Sequence, residues 1–359
     1  MARGGIVNIS RRDFVRSGGA MAALAMTGGG ELLGAEPQSA NGKNGLMWGA
    51  LIHLSFNMWS DVPVESWGKL EGDQVSWVTK DPKLRFDDEL WVELTQRMSE
   101  LGMNYILIDV GDGLQFESHP EISVEGAWGK ERLAKELDRL RGLGLEPIPK
   151  MNFSAAHDTW LGVYSRMLST PKYFEVCGDL IKETLELFGK PRLFHLGYDE
   201  ETWGHQAKYD YVVVRQGETW WRDFLFFVEQ VEKNGSRAWI WSDYYWHHPE
   251  LFMSRMPKSV LQSNWYYSES FDPEQVAYVQ AYLDLDKAGF EQIPTGSNWA
   301  NATNFQGTVD FCTAHLSPEL LKGFMQTAWM PTLKASREAH WQAVDQVGAA
   351  IRKLAAAKA

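Results

Sequence analysis

The stretch Arg192-Leu-Phe-His-Leu-Gly-Tyr-Asp-Glu-Glu201 is the part of the chain that best indicates its fold. Its apolar residues predict a short buried strand that ends at Gly197, and three acids (Asp199, Glu200 and Glu201) follow at once. In a barrel of alternating strands and helices, the carboxyl ends of the strands carry the catalytic residues. The alternative interpretation is that Asp199 caps the next helix and the two glutamates occupy its first turn.

The same order of elements recurs along the chain: an amphipathic helix, a glycine, and then an apolar strand. The glycines that mark these helix ends are at positions 102, 144, 189, 235 and 289. Glycine is typical just after a helix, and the interval between these glycines fits one strand–helix unit. A strand follows each of these five glycines, the last of them at 290–294, and three further strands at 46–54, 259–265 and 323–329 bring the count to eight. This predicts a (β/α)8 TIM barrel, an α/β fold, over residues 46–359; a doubly wound sheet is the structural alternative.

Composition limits the classes of partner. The chain has 359 residues, of which 44% are hydrophobic, so it can bury a large core. Its net charge of -12 and the lack of a basic run after residue 20 argue against nucleic acid and anionic membranes as partners. The two cysteines, Cys177 and Cys312, are too few for a disulfide scaffold or a cysteine-rich zinc site, and two buried thiols are expected. We predict no cofactor and no metal.

The amino terminus resembles an export signal. Ser10-Arg11-Arg12-Asp13-Phe14-Val15 is a twin-arginine pattern, and a weakly apolar run follows it. We therefore predict a twin-arginine export signal over residues 1–35 and a polar linker over 36–45, with the protein acting in the periplasm or outside the cell. No cysteine follows the run, so no stable membrane anchor is expected. The alternative is a chance arginine pair in a tail.

Acids, amides and tryptophans follow the predicted strands, and in a barrel these side chains would share one mouth. Carboxylates and amides bond hydroxyl groups, and tryptophan stacks on the apolar face of a sugar ring, so the predicted partner is a carbohydrate. The segment 55–86, which holds Trp59, Trp67 and Trp77, is predicted to form a lid or rim. The candidate binding residues are His53, Asn152, Asp243, Tyr244, Asn264, Trp265, Trp299 and Trp329. A buried core histidine is the alternative interpretation of His53, as is a barrel-interior ion pair for Lys150.

The segment Phe194-His-Leu-Gly-Tyr-Asp-Glu200 resembles the motif at the fourth strand of glycoside hydrolase family 20, the β-N-acetylhexosaminidases. The order of elements from about residue 46 to 355 is similar to the catalytic barrel of that family. The resemblance implies that Glu200 is the general acid/base. It also implies that Asp199 holds a 2-acetamido group, whose carbonyl oxygen attacks the anomeric carbon in place of an enzyme nucleophile. His157 would support the acid and Asp109 would pair with His157, while the charge of Asp199 would keep Glu200 protonated.

Two segments depart from the family pattern. His53-Leu-Ser-Phe-Asn57 stands where the family usually has an arginine, and Trp329-Met-Pro331 stands where it commonly has Trp-x-Glu. The leading hypothesis is therefore an exported glycoside hydrolase, exo-acting on β-linked (N-acetyl)hexosaminides by substrate-assisted, retaining hydrolysis, and the departures leave the identity of its sugar open. One alternative is a metal-dependent sugar isomerase or epimerase in which Glu200, Asp243 and His157, together with another carboxylate, hold a divalent ion. The other is a non-catalytic carbohydrate-binding barrel.

Overall fold

The computed structural model describes residues 45–67 and 70–357, which form eight parallel strands alternating with helices. The strands are β1 (Met47–His53), β2 (Tyr105–Asp109), β3 (Glu146–Lys150), β4 (Leu193–His195), β5 (Arg237–Trp241), β6 (Leu261–Ser263), β7 (Thr295–Ser297) and β8 (Gly323–Thr327). They pair in the order β6-β5-β4-β3-β2-β1-β8-β7. Single parallel bridges, Gln262 to Gln292 and Trp265 to Thr295, join the two edges. The predicted (β/α)8 barrel is confirmed.

Helices follow the strands and cover the barrel. They are α1 (Asp73–Ser76), α2 (Asp88–Glu100), α3 (Lys130–Gly142), α4 (Pro171–Leu187), α5 (Trp203–Gln206), α6 (Gly217–Lys233), α7 (Tyr244–His247), α8 (Pro249–Arg255), α9 (Ala277–Lys287), α10 (Asn304–His315) and α11 (Arg337–Ala357). Side-chain caps fix three starts: Asp87 accepts from the Leu90 amide, Thr170 from the Tyr173 amide, and Thr202 from the His205 amide. The five glycines predicted to end helices all have positive φ, between 73° and 87°.

The core has two layers because side chains alternate along each strand. On β1, Met47 and Leu51 point into the barrel, whereas Trp48 and Ile52 pack under the helices. The barrel interior also contains two large indoles of β5, Trp239 and Trp241. Both cysteines are buried and free, as expected.

One strand lies later in the chain than the sequence suggests. The seventh strand was predicted at 290–294, but β7 is Thr295–Ser297. Pro294 has no amide hydrogen to donate to a ladder. The preceding segment makes only single bridges through Gln292. The regular ladder therefore begins after the proline.

Two predictions fall mainly on residues that the structure does not describe. The twin-arginine signal (1–35) and nearly all of the linker (36–45) lie outside the described residues. Among the helices described, none combines the length and the apolar character needed to cross a membrane.

Charged and polar residues form one row at the carboxyl ends of the first four strands. Strand pairing aligns His53 with Asp109, Asp109 with Lys150, and Lys150 with His195. Lys150 Nζ donates to Asp109 Oδ2 at 2.5 Å, and both residues are buried. Burial alone would raise the pKa of Asp109, but Lys150 and His53 outweigh it and hold the pKa at about 2. The barrel-interior ion pair considered for Lys150 is confirmed.

Removing one partner of this ion pair should destabilise the fold strongly. Lys150→Met leaves the Asp109 carboxylate buried without its main partner, and the expected loss in the free energy of unfolding is about 3–5 kcal/mol. The exposed pair between Lys353 and Asp310 provides a matched control. Lys353→Met should cost less than about 1 kcal/mol. Urea denaturation of both variants measures the difference, and equal losses would contradict the assigned role of Lys150.

Candidate active site

The backbone after β4 takes an unusual path that sets the directions of three side chains. Gly197, Tyr198 and Glu200 have φ values of 69°, 75° and 55°. A Cβ atom at Gly197 would lie 2.2 Å from Asn152 Oδ1, so only glycine fits there. Positive φ is costly at Tyr198 and Glu200, and such strain is typical of functional sites. Tyr198 packs outward against the helix layer, and Asp199 and Glu200 face a cavity at the barrel mouth.

Asp199 is held rigidly at the cavity wall. Asn152 Nδ2 donates to Asp199 Oδ1 at 2.7 Å, and the Ser154 hydroxyl donates to the Asp199 carbonyl at 2.5 Å. The other carboxylate oxygen, Oδ2, lies 3.5 Å from His157 Nε2. The carboxylate therefore has one fixed oxygen and one oxygen directed at the His157 side of the cavity.

Glu200 stands between two histidines. Its Oε2 lies 3.2 Å from His157 Nε2 and 3.1 Å from His205 Nδ1. Burial alone would raise the pKa of Glu200, but the contacts with both histidines hold it below its usual range. The lowered pKa runs against the expectation that Asp199 keeps Glu200 protonated, because the two imidazoles favour the ionised form of Glu200. Burial would likewise lower the pKa of His157, but Asp199 and Glu200 raise it.

The hydrogen bonds of His205 locate a proton beside Glu200. The Tyr209 hydroxyl donates to the Ala156 carbonyl at 2.8 Å, so it must accept from His205 Nε2, 3.0 Å away. His205 Nε2 therefore carries a hydrogen. In a neutral imidazole, Nδ1 would then have only a lone pair, facing a Glu200 oxygen at 3.1 Å. Two acceptors at that distance repel, so the pair shares one additional proton.

Asp243 supports Glu200 from behind the cavity wall. Its Oδ2 accepts from the Glu200 amide at 2.8 Å, and its Oδ1 accepts from Trp265 Nε1 at 3.4 Å. Burial, together with the charges of Asp199 and Glu200, raises the pKa of Asp243 to about 8. The prediction that Asp243 binds substrate directly is not borne out by its position, because both oxygens are engaged and the side chain lies outside the cavity lining.

The cavity has a volume of about 260 Å³ and a largely aromatic wall. Five predicted residues, His157, Asn152, Trp265, Trp299 and Trp329, line it together with Asp199 and Glu200. The segment after β1 also contributes to the wall, as predicted for a lid or rim. Its lining residues are Phe56, Met58, Trp59, Trp67, Leu70 and Trp77.

Asp109 and His53 lie below the cavity and bind each other rather than a ligand. Asp109 Oδ2 contacts Lys150 and lies 3.3 Å from His53 Nδ1. Among the described residues, Nδ1 of His157 has no hydrogen-bond partner, so the predicted pairing of His157 with Asp109 is wrong. The buried cation of Lys150 attracts Asp109 more strongly than a neutral imidazole would. His53 is 1% exposed and packs edge-on against Phe56, which favours the alternative interpretation of a buried core histidine over contact with substrate.

Two other predicted binding residues have structural partners. Tyr244 stacks on Trp220 of α6, with ring centroids 3.7 Å apart. Asn264 is fully buried; it accepts from Trp246 Nε1 at 2.8 Å and donates to the Tyr278 carbonyl. Neither side chain lines the cavity, because each is held by these contacts with neighbouring residues. Their predicted contact with substrate stays a prediction that these positions do not favour.

Three cavity residues were missed in the sequence: His205, Lys208 and Tyr267. His205 lies on α5, only five positions after Glu200, so its place after the fourth-strand motif was an available signal. Lys208 belongs to the same loop. Tyr267 stacks on Trp265, with ring centroids 5.0 Å apart, and nothing in its sequence context distinguished it.

The same histidines could serve as metal ligands. One ligand atom each from His157, Glu200 and His205 lies within 4.8 Å of the others. Two imidazoles and a carboxylate suit Zn²⁺ or Fe²⁺. This set differs from the predicted one, because His205 takes the place that Asp243 was expected to hold.

The barrel is similar to solved structures of glycoside hydrolase family 20. The β-N-acetylhexosaminidase from Streptomyces coelicolor matches with a TM-score of 0.56 at 13% identity, covering 84% of this chain and 64% of that chain. An exo-β-N-acetylglucosaminidase from Vibrio harveyi, solved with N-acetylglucosamine, matches with a TM-score of 0.56 at 13% identity, covering 84% and 54%. The β-N-acetylhexosaminidase from Bacteroides fragilis gives 0.53 at 11% identity, with 84% and 65% covered.

This chain thus spans less than two thirds of the length of these three proteins. No protein-family model matches the chain, and no curated protein matches it in sequence. The likeness establishes a fold of the family 20 type, in agreement with the resemblance seen at the fourth strand.

The raised pKa of Asp243 predicts a specific dependence of stability on pH. Between about pH 4 and 8, Asp243 is protonated in the folded state and ionised in the unfolded state. The unfolded state binds fewer protons, so stability falls as pH rises through this window. Asp243→Asn cannot ionise. Relative to this variant, the wild type should lose up to about 1.4 kcal/mol per pH unit.

Urea denaturation of both proteins at pH 5, 6.5 and 8 measures this difference. Asp310→Asn, at an exposed aspartate, serves as the control and should leave the pH slope unchanged. Parallel pH profiles for the wild type and Asp243→Asn would show that Asp243 is not held in its protonated form.

Proposed function

We propose that the protein is an exported glycoside hydrolase that removes terminal β-linked N-acetylhexosamine units by substrate-assisted, retaining hydrolysis. The observation that carries the proposal is the pair Asp199 and Glu200, consecutive residues after β4 whose side chains both line the cavity. Asn152 and Asp243 fix this pair from two sides. The likeness in fold to family 20 enzymes supports the same assignment.

Asp199 acts on the 2-acetamido group of the substrate. Its Oδ1 is bound by Asn152, which leaves Oδ2 to accept from the acetamido N–H. This contact directs the acetamido carbonyl oxygen at the anomeric carbon. As that oxygen attacks, the ring of the intermediate becomes a positively charged oxazolinium ion, which the carboxylate stabilises.

Glu200 transfers the proton. It protonates the departing glycosidic oxygen as the bond to the anomeric carbon breaks, and then removes a proton from the water that opens the intermediate. The proton shared with His205 lies 3.1 Å from the acid, so Glu200 can be recharged within the site. His157 contacts Asp199 as well as Glu200, and so it bridges the two carboxylates.

The shape of the cavity supports action at a chain end. A volume of about 260 Å³ suits one sugar ring with its substituents. Trp265, Trp299 and Trp329 offer indole faces on which the apolar side of a sugar ring can stack. An enzyme that cuts within a polysaccharide needs a cleft open at both ends.

The predicted twin-arginine segment supports export to the periplasm or the medium, where a polysaccharide substrate would be met. A twin-arginine signal suits a barrel that folds before it leaves the cytoplasm. Measuring the location of the full chain, and of a variant with Arg11→Lys and Arg12→Lys, tests this part of the proposal.

A metal-dependent isomerase or epimerase is the second candidate, because His157, Glu200 and His205 lie within metal-binding reach of one another. A chelator distinguishes the two candidates. Hydrolysis of an aryl glycoside that survives dialysis against EDTA supports the hydrolase. Sugar isomerisation that appears only after a divalent metal is added supports the second candidate.

Replacing the proton donor should abolish turnover while leaving the fold intact. Glu200→Gln should reduce kcat on an aryl β-N-acetylglucosaminide by at least ~10²-fold, since general acid–base catalysis typically contributes that much. Glu218→Gln, at an exposed glutamate paired with Arg255, is the control and should behave as the wild type. Near-normal turnover by Glu200→Gln would refute the proposed function.

The matching aryl β-glucoside tests the substrate-assisted route. It lacks the 2-acetamido group, so its hydrolysis should be undetectable or slower by several orders of magnitude. Equal rates on the two substrates would exclude participation of the acetamido group and leave a simple glycosidase.

The proton held beside Glu200 predicts an altered pH profile when His205 is removed. His205→Ala should lower kcat and move the alkaline limb of the pH–rate profile to lower pH, because the site no longer stores the proton. Tyr209→Phe keeps the ring that packs on Trp67 and removes the hydroxyl that fixes the His205 tautomer. It should shift the limb less, in the same direction. Unchanged profiles in both variants would contradict the shared proton.

A further inference from the structure

The polar groups of the cavity are unevenly distributed. Asn152, Asp199, His157, Glu200 and His205 form one continuous cluster of contacts. Apart from indole N–H groups, the remainder of the lining is aromatic or aliphatic, with two exceptions. These exceptions are the Tyr267 hydroxyl and the ammonium group of Lys208.

The ammonium group of Lys208 lacks an anionic partner in the part of the chain that the structure describes. Lys208 Nζ lies over the face of Trp67, 4.4 Å from the ring centroid. Three other cations near the mouth are paired with carboxylates. These are Lys80 with Asp112, Arg166 with Asp61, and Arg215 with Glu201.

Neighbouring contacts hold the base of Lys208 in place. Tyr209, the next residue, donates to the Ala156 carbonyl and accepts from His205. Its ring packs on Trp67 with centroids 5.0 Å apart. Burial lowers the pKa of Lys208, and the charge of Glu200 opposes this shift. Lys208 is exposed and lines the same cavity as Glu200.

A ligand that fills the cavity removes water from Lys208. If the ligand is neutral at that point, the ammonium loses hydration and gains no charged partner, which is unfavourable. An anionic substituent replaces the lost water with a charge-assisted hydrogen bond. Such a ligand also approaches the carboxylates of Asp199 and Glu200 in a protein of net charge -12, so a local cation is needed to offset the repulsion.

We propose that the cavity binds an acidic sugar, one whose ring bears a carboxylate or a sulfate ester, and that Lys208 pairs with this substituent. The inference rests on the proposed function, because it names the substrate class of the same site. Lys208 is thereby a specificity-determining residue, separate from the acid/base pair.

The test compares aryl glycosides that differ only in charge. One set is an aryl β-N-acetylglucosaminide with and without a sulfate ester at the 3-, 4- or 6-hydroxyl; the other is the aryl β-glycoside of 2-acetamido-2-deoxyglucuronic acid beside the same aryl β-N-acetylglucosaminide, so that every substrate keeps the 2-acetamido group. For the wild type, kcat/KM should be roughly 10-fold higher or more on an anionic member, as expected of a charge-assisted contact, and the ratio should fall with added salt. The set that shows the preference distinguishes sulfate from carboxylate.

Variants assign the preference to Lys208. Lys208→Met keeps the length of the side chain and should remove the difference between anionic and neutral substrates, mainly through KM. Lys208→Arg keeps the charge and should retain the difference. Lys83→Met, at an exposed lysine paired with Glu125, is the matched control and should behave as the wild type. Equal losses on both substrates in Lys208→Met would mean that Lys208 only secures Trp67, and would overturn the inference.

Binding separates failure of this inference from failure of the proposed function. If no glycoside is hydrolysed, the proposed function fails, and calorimetry on the Glu200→Gln variant still compares sulfated with unsulfated N-acetylglucosamine, and glucuronate with glucose. Tighter binding of an anionic sugar, lost in the Glu200→Gln, Lys208→Met double variant, supports the acidic-sugar site. Equal binding of anionic and neutral sugars, or no binding of either, overturns it.

Discussion

The backbone from Gly197 to Glu200 is the constraint on which the site depends. Left-handed conformations at Tyr198 and Glu200 are unfavourable on their own, so neighbouring groups must hold them. Asn152 on one side accepts from the Tyr198 amide and donates to Asp199, and Asp243 on the other accepts from the Glu200 amide. These contacts come from the ends of β3 and β5, the neighbours of β4 in the barrel. The directions of both carboxylates are thus set by strand order.

The neighbouring carboxyl groups of Asp243 and Glu200 differ in pKa because their partners differ. Asp243, which accepts only neutral donors in a dry position, has its pKa raised to about 8. Glu200 faces two imidazoles, and its pKa is lowered. Separation of this kind is how one barrel mouth can hold both a proton and a stable anion at neutral pH. Deeper in the barrel, Lys150 neutralises Asp109, so that carboxylate adds little to the repulsion among the other three.

The sequence contained most of the fold, because glycine-ended helices and eight apolar runs repeat at the interval of a strand–helix unit. It also placed Asp199, Glu200 and His157 at the barrel mouth, because each comes soon after a predicted strand. It did not show which of the other polar residues near strand ends face the cavity. Tyr244 and Asn264 follow strands too, yet Tyr244 stacks on Trp220 and Asn264 accepts a hydrogen bond from Trp246, so neither lines the cavity. Such choices depend on contacts between elements distant in sequence, which a linear pattern does not contain.

His205 shows why a loop residue can matter as much as one at a strand end. The Tyr209 hydroxyl fixes the ring of His205. Because this hydroxyl donates its one hydrogen to a backbone carbonyl, it accepts from His205, and this sets the tautomer of the histidine. The same loop carries Lys208 and packs against the indole of Trp67. One short segment therefore carries both the histidine that contacts Glu200 and the lysine that contacts the aromatic wall. Under the proposed function, a change in this loop should therefore alter catalysis and specificity together.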